Sequence, residues 1–253
     1  MILQIDAGNT RIKWRVIKGS KAVGDSFRTV VEGNQLTATV LAGEALQLPG
    51  VTALTAAQLS SVAGDAVVAT LSKQLHQQFG VSLQVAKVSA QVGSVSCGYK
   101  SPEALGVDRW LAVLAAFNKA DRAAIVVDAG SALTLDIVDS GGVHQGGYIV
   151  PGLRLLQSAL WQGTDQVKVD QSGSDHRPNP GTTTEEAVSH GCILMLVALI
   201  ERLAAEQSAE LIITGGDALL LKNQLTLKAT HSPDLVLDGL SVEGLRFSGF
   251  ISR

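Results

Sequence analysis

Clusters of charge of one sign are missing from this sequence. Charged residues make up 17% of the 253, the formal net charge is −3, and Lys and Arg stand singly. The basic footprint that nucleic acid or an anionic membrane requires is therefore missing, and a small-molecule partner is the better expectation. Cysteine is scarce. Cys97 and Cys192 form neither a C-x-x-C pair nor a disulfide framework, so each reads as a small buried apolar residue, and a reducing cytoplasm fits. Long apolar runs are missing too. The longest, CILMLVALI from Cys192 to Ile200, is too short to span a bilayer. Asp6 and Arg11 interrupt the amino terminus before a signal-peptide core develops, so a soluble, cytoplasmic protein is expected. The histidines at 76, 144, 176 and 231 show no metal-ligand spacing, His190 reads as structural, and no Ser, His and Asp arrangement stands out.

What is present is a repeat. ILQIDAGNTRIKWRVIKG, from Ile2 to Gly19, is echoed by IVVDAGSALTLDIVDSGG, from Ile125 to Gly142. In both, an apolar run meets Asp-Ala-Gly, a small polar residue follows, and an alternating segment leads to Gly. Aligning Asp6 with Asp128 gives an offset of 122 residues (128 − 6), close to half the chain, so the pattern reads as a duplicated half-domain. The length suffices for one large domain or two ordinary ones.

Ile2 to Ile5 reads as a buried strand, and RIKWRV, from Arg11 to Val16, alternates as a strand with one wet face. A third strand is expected to include Ser26 to Val31. A strand and an amphipathic helix follow between Leu54 and Gly80. Ser101, Pro102 and Glu103 look like the start of a helix that ends near Asn118 and turns Leu105, Trp110, Leu111, Leu114 and Phe117 inward. The second half opens on AIVVDAG, LTLDIV and GGYIV, an antiparallel meander, followed by the helix LRLLQSAL. Gln171 to Thr184 is polar and rich in Gly and Pro, a loop that can move. A helix from about Glu185 to Gln207, a strand into TGGDA and a strand near EGLRFSGFI close the chain. The expected fold is α/β, with two similar halves facing a cleft and a division at 1–118 and 119–253.

Four motifs carry candidate chemistry. The DAGNT turn presents Gly8, Asn9 and Thr10 at a tip where backbone N–H groups and a hydroxyl can converge on phosphate oxygens, with Asp6 placed to hold the water shell of Mg²⁺. A single such turn is no more than a hairpin; its recurrence as DAGSA favours a polyphosphate grip. In TGGDA a strand runs into paired glycines, which lets backbone approach a flat ligand. GYKSPEALGVDRW, from Gly98 to Trp110, sets Asp108 beside Arg109: a carboxylate that can accept a hydroxyl proton and a guanidinium that can grip a substrate carboxylate, or else a solvated ion pair. GTTTEEAVSHG reads first as a capping box begun by Thr182 or Thr183. Alternatively, Thr183 or Thr184 offers a hydroxyl to a substrate.

Taken in order along nearly the whole chain, DAGNTRIKW, GYKSPEALGVDRW, VVDAGSALTLD, GGYIVPGL, the Thr-Glu-Glu-Ala helix start and TGGDA resemble type III pantothenate kinase, within the acetate and sugar kinase, heat-shock chaperone and actin superfamily. The resemblance implies two actin-like (ribonuclease H-like) halves and transfer of the γ-phosphoryl group of ATP to the terminal hydroxyl of pantothenate, the first committed step of coenzyme A synthesis. Carried over, it makes Asp108 the proton acceptor and puts Tyr99, Gly106, Val107, Arg109 and Thr184 against pantothenate. Thr184 is chosen because Ala187 and Gly191 then match the family pattern. Asp6, Ala7, Gly8, Asn9, Thr10, Arg11, Ile12 and Lys13 hold ATP and Mg²⁺, and Ser131, where the family more often has Thr, also touches ATP. Asp128 binds the monovalent cation, potassium or ammonium. A homodimer is implied. Another small-molecule kinase of the superfamily would share the turns but has no reason to carry GYKSPEALGVDR. A non-catalytic nucleotide-binding regulator would have little need of Asp108.

Overall fold

The computed structural model describes residues 1–18, 28–163 and 179–250. They form two compact units: Met1–Ala115 with the residues from Leu235 on, and Ala116–Asp234.

In the first unit, β1 (Ile2–Ala7), β2 (Arg11–Lys18) and β3 (Arg28–Leu36) make an antiparallel meander. After α1 (Thr37–Leu41), β4 (Ala56–Ser61) runs parallel to β1; after α2 (Asp65–Phe79), β5 (Leu83–Lys87) runs parallel to β4. A small hairpin of β6 (Gln91–Val92) and β7 (Val95–Ser96) leads to α3 (Val107–Ala120). The second unit repeats the plan. Its meander is β8 (Ala124–Ala129), β9 (Ala132–Val138) and β10 (His144–Pro151); α4 (Leu153–Gly163) and α5 (Thr184–Glu206) precede β11 (Glu210–Thr214), and α6 (Ala218–Lys222) precedes β12 (Thr230–His231). Five strands of the first sheet, in the order β3-β2-β1-β4-β5, match the second sheet, β10-β9-β8-β11-β12, strand for strand, so the duplication read from the two Asp-Ala-Gly stretches is a duplication of topology.

The alternation in RIKWRV explains the first sheet. Ile12, Trp14 and Val16, with Leu3, Ile5 and Ala7 of β1, enter a core with Val67, Leu71 and Leu75 of α2. The opposite face carries Gln4, Asp6, Lys13 and Arg15 in paired register. Burying each large aliphatic side chain is worth about 1.5–3 kcal/mol, which fixes the register, because a one-residue slip would turn the polar row into the core. In the second unit Ile125, Val127, Leu133 and Leu135 play the same part against Ile193, Leu196, Val197 and Ile200 of α5. By length and composition α5 could cross a membrane. Its buried face, however, is part of this core, as expected of a central helix in a folded unit.

Two expectations change, and the third strand runs further than expected. Pro102 opens only a 3₁₀ turn, Pro102–Ala104; Leu105 is extended, and α3 begins past Gly106, whose carbonyl accepts the Trp110 N–H at 3.0 Å. The third strand extends to Leu36; residues 26 and 27 lie outside the described residues, as does most of the Gln171–Thr184 loop. Finally, the chain does not divide once near residue 118. After β12 it returns to the first unit through α7 (Leu235–Gly239) and β13 (Arg246–Phe250), which pairs antiparallel with β5 and covers that sheet edge.

Candidate active site

The first turn, Gly8, Asn9 and Thr10, is closed by Gly8 N–H donating to the Arg11 carbonyl at 3.0 Å. It is held from below by Thr37, whose hydroxyl donates to the Gly8 carbonyl at 2.7 Å and whose N–H donates to the Thr10 carbonyl at 3.1 Å. Asn9, Thr10 and Arg11 are exposed, and Arg11 donates to Asn34 Oδ1 at 2.9 Å. Asp6 and Lys13 face each other across the ladder. Ala7 and Ile12 point into the core, so only their backbone is available to a ligand.

The second turn is one residue shorter. Gly130 and Ser131 join β8 to β9, Gly130 N–H donating to the Ala132 carbonyl at 3.0 Å, and Asp128 stands opposite Thr134 where Asp6 stands opposite Lys13. The equivalent buried rows, Ile12 and Trp14 against Leu133 and Leu135, are therefore offset by 121 rather than 122 residues. Two other motifs converge here. Gly152 N–H donates to the Ser131 carbonyl at 3.0 Å, and a Cβ on Gly152 would lie 2.3 Å from the Gly130 carbonyl oxygen. In TGGDA, Gly215 has φ +96°, and a Cβ there would lie 2.5 Å from both Asp128 Oδ1 and the Ala129 carbonyl oxygen, while Asp217 N–H donates to that same oxygen at 2.9 Å. From the sequence, the TGGDA glycines are expected to let backbone approach a flat ligand, and Gly152 carries no role of its own. Their contact with the Asp128 turn spans tens of residues and has no local signature beyond glycine itself.

At the start of α3, Asp108 Oδ1 accepts the Arg109 N–H at 2.8 Å, and its carboxylate folds so close to Gly106 that a Cβ there would lie 2.6 Å away. A helix's first turn favours this negative charge. Arg109 is 6% exposed. It donates to the Tyr99 hydroxyl at 2.8 Å and lies 5.7 Å from that ring's centroid. The solvated ion pair on a wet helix surface is thus not what the fold builds: the guanidinium is buried and braced by an aromatic phenol. Val107 is half-buried beside it.

At α5 the capping box is real and belongs to Thr183. Its hydroxyl accepts the Glu186 N–H at 3.2 Å, while Glu186 Oε2 accepts the Thr182 N–H at 2.7 Å and the Thr182 hydroxyl at 2.8 Å. These bonds, the Thr182 N–H first, hold the Glu186 carboxyl below its ordinary pKa. Thr184 is the first helical residue and is exposed.

Among the described residues no three His, Cys, Asp or Glu side chains gather to hold a metal. Asp6, beside the first turn, offers a carboxylate of the kind Mg²⁺ takes from protein while the rest of its shell comes from water and phosphate. Asp128 and the Ala129 carbonyl, both packed against Gly215, are hard oxygen donors of the kind a metal cation takes.

A family model described as type III pantothenate kinase matches residues 2–206. The type III pantothenate kinase of Pseudomonas aeruginosa is 38% identical over 251 residues, covering 96% of this chain and 98% of its own. That of Pseudomonas putida is 36% identical with the same coverage. Among solved structures, a candidate Baf family transcriptional activator from Campylobacter jejuni superposes with a TM-score of 0.61 at 21% identity, covering 94% of each chain. A candidate 2-dehydro-3-deoxygalactonokinase from Sinorhizobium meliloti gives 0.57 at 13% identity, covering 95% of this chain and 97% of its own. Both show the duplicated, actin-like fold alone. The motifs, their order and the match over most of the chain place this protein in the type III pantothenate kinase family.

Proposed function

We infer that this chain phosphorylates pantothenate with ATP, yielding 4′-phosphopantothenate for coenzyme A synthesis, and that Asp108 is its general base. The observation that carries the acceptor side is Arg109, buried and braced by Tyr99 next to a carboxylate at a helix start. Bidentate guanidinium is suited to a substrate carboxylate, and pantothenate has one. Tyr99, Gly106, Val107 and Thr184 complete the acceptor contacts. Thr184 is favoured over Thr183 because the Thr183 hydroxyl is committed to the helix cap. The Asp6–Lys13 hairpin end holds ATP: the exposed tip, Asn9 and Thr10, through backbone N–H groups and a hydroxyl, Lys13 by charge, Asp6 through the water shell of Mg²⁺. Ser131 offers its hydroxyl to ATP, and Asp128 holds potassium or ammonium.

Phosphoryl transfer depends on in-line placement and charge neutralisation more than on covalent chemistry. Arg109 fixes the acceptor's carboxylate end. Asp108 takes the proton from the terminal hydroxyl as that oxygen bonds to the γ-phosphorus and the bond to the β-bridging oxygen breaks. Mg²⁺, when bound, neutralises the phosphate oxygens. ADP release measured with and without pantothenate tests the reading. Strict dependence on pantothenate is expected; equal release in both, or preference for a sugar or acyl acceptor, would overturn it.

We also place the protein in the cytoplasm as a homodimer. Large apolar side chains stand exposed on mutually packed elements of the second unit: Ile149 of β10, Leu155 and Trp161 of α4, Leu194 and Met195 of α5. Such a patch marks an interaction site. Sedimentation should give a dimer, and Met195→Asp should shift it toward monomer; a wild-type monomer at micromolar concentration counts against this.

A further inference from the structure

We propose that Asp238 and Gly239, in α7, are positioning residues for phosphoryl transfer: together they hold the Asp6 hairpin and the first turns of α3 at a fixed separation within the first unit. The inference rests on reading the Asp6 turn as the ATP holder and Asp108 as the base.

Arg15 lies on the polar face of the hairpin, paired with Gln4 across the ladder, as Lys13 is paired with Asp6. Its Nε donates to Gln4 Oε1 at 2.9 Å and its Nη1 to Asp238 Oδ1 at 2.7 Å. Gln4 Nε2 in turn donates to Ser241 Oγ at 2.9 Å and Gln58 Oε1 at 3.1 Å. Gln4 and Arg15 are almost wholly buried while the Asp238 side chain is 25% exposed, so this charge-assisted network is shielded from water except at its α7 end. It bolts the base of the hairpin, two residues from Asp6, to α7.

The next residue of α7 meets α3. A Cβ on Gly239 would lie 2.3 Å from the Leu111 carbonyl oxygen and 2.6 Å from Leu111 Cβ. Its φ is not in the left-handed region, so the position requires space rather than conformational freedom. Leu111 is one helical turn past Asp108. Two adjacent residues of α7 thus grip the two elements that carry the phosphate turn and the base. An alanine at 239 must push α3 away by about 0.7 Å merely to reach 3.0 Å, and misplacements of about 1 Å can cost roughly 10²-fold in rate.

The test is steady-state kinetics of the full chain with ATP and pantothenate. Gly239→Ala should lower kcat by about 10-fold or more while each KM stays within about threefold. Asp238→Asn, nearly isosteric and gentler on the fold, should lower kcat by about threefold or more, with Asp238→Glu recovering most of the loss. In an Asp108→Asn background, Gly239→Ala should add less than about threefold, because placement of a missing base no longer matters. Folded single variants with kcat within twofold of wild type, a rise in KM alone, or full additivity with Asp108→Asn would each overturn the proposal. If Gly239→Ala does not fold, Asp238→Asn decides. A fully active Asp108→Asn removes the base reading instead, while loss of kcat in the α7 variants still reports on the clamp.

Discussion

Asp108→Asn should lower kcat by about 10²- to 10⁴-fold, with the fold intact and ATP and pantothenate still bound. Asparagine has nearly the same size, its Oδ1 can still accept the Arg109 N–H, and it fits beneath the bare Cα of Gly106 as the carboxylate does. What it cannot do is take a proton. The substitution therefore separates general-base work from packing. If Asp108 served only as a surface partner of nearby charges, its replacement would cost at most ~1 kcal/mol of stability and leave the rate alone. Single-turnover rates, with calorimetric titration of each ligand, distinguish the two. Turnover within a few-fold of wild type would dismiss Asp108 as base while leaving the family assignment standing.

Asp128→Asn should remove stimulation by potassium, dropping activity by about 10²-fold to the level seen in sodium alone, the scale set by losing one charge-stabilising group at a reacting phosphate. The TGGDA loop makes a second route to the same loss. Gly215 has a φ that other L-residues rarely adopt and sits against Asp128 Oδ1 and the Ala129 carbonyl, so Gly215→Ala must displace the carboxylate or the backbone beside it. Both variants should titrate weakly with potassium, while Gly215→Ala also loses thermal stability. Equal wild-type rates in sodium-only and potassium buffers would argue that Asp128 holds no cation.

Much of this site could be read along the chain because its parts are local. Strand alternation on either side of Asp-Ala-Gly depends on neighbouring residues, and the meander needs only short turns. Thr183 and Glu186 make their capping box within one helical turn. The errors lie where the deciding contact is distant or the competing signals are close. Pro102 is a sound helix opener, yet α3 starts only past Gly106, four residues on. The one-residue difference between the two turns is hidden because in each a small polar residue, Asn9 or Ser131, follows the Gly of Asp-Ala-Gly; only the buried partners of Trp14 and Leu135 reveal it. Nothing near Gly215 announces Asp128, and nothing in EGLRFSGFI names β5 as its partner.

That last pairing bears on how the molecule is made. The second unit is a continuous stretch, Ala116–Asp234, whereas the sheet of the first needs β13 beside β5, more than 150 residues earlier in the chain. On a ribosome the second unit emerges whole while the first still exposes the open edge of β5, a template for stray strand pairing. Compact folding of the later-made unit shortens the span that must be closed before β13 can dock, which lowers the entropic cost of that closure. Residues made after the second unit thus complete the unit begun before it, and a chain stopped shortly before Arg246 would carry an intact second unit and an unfinished, sticky first one.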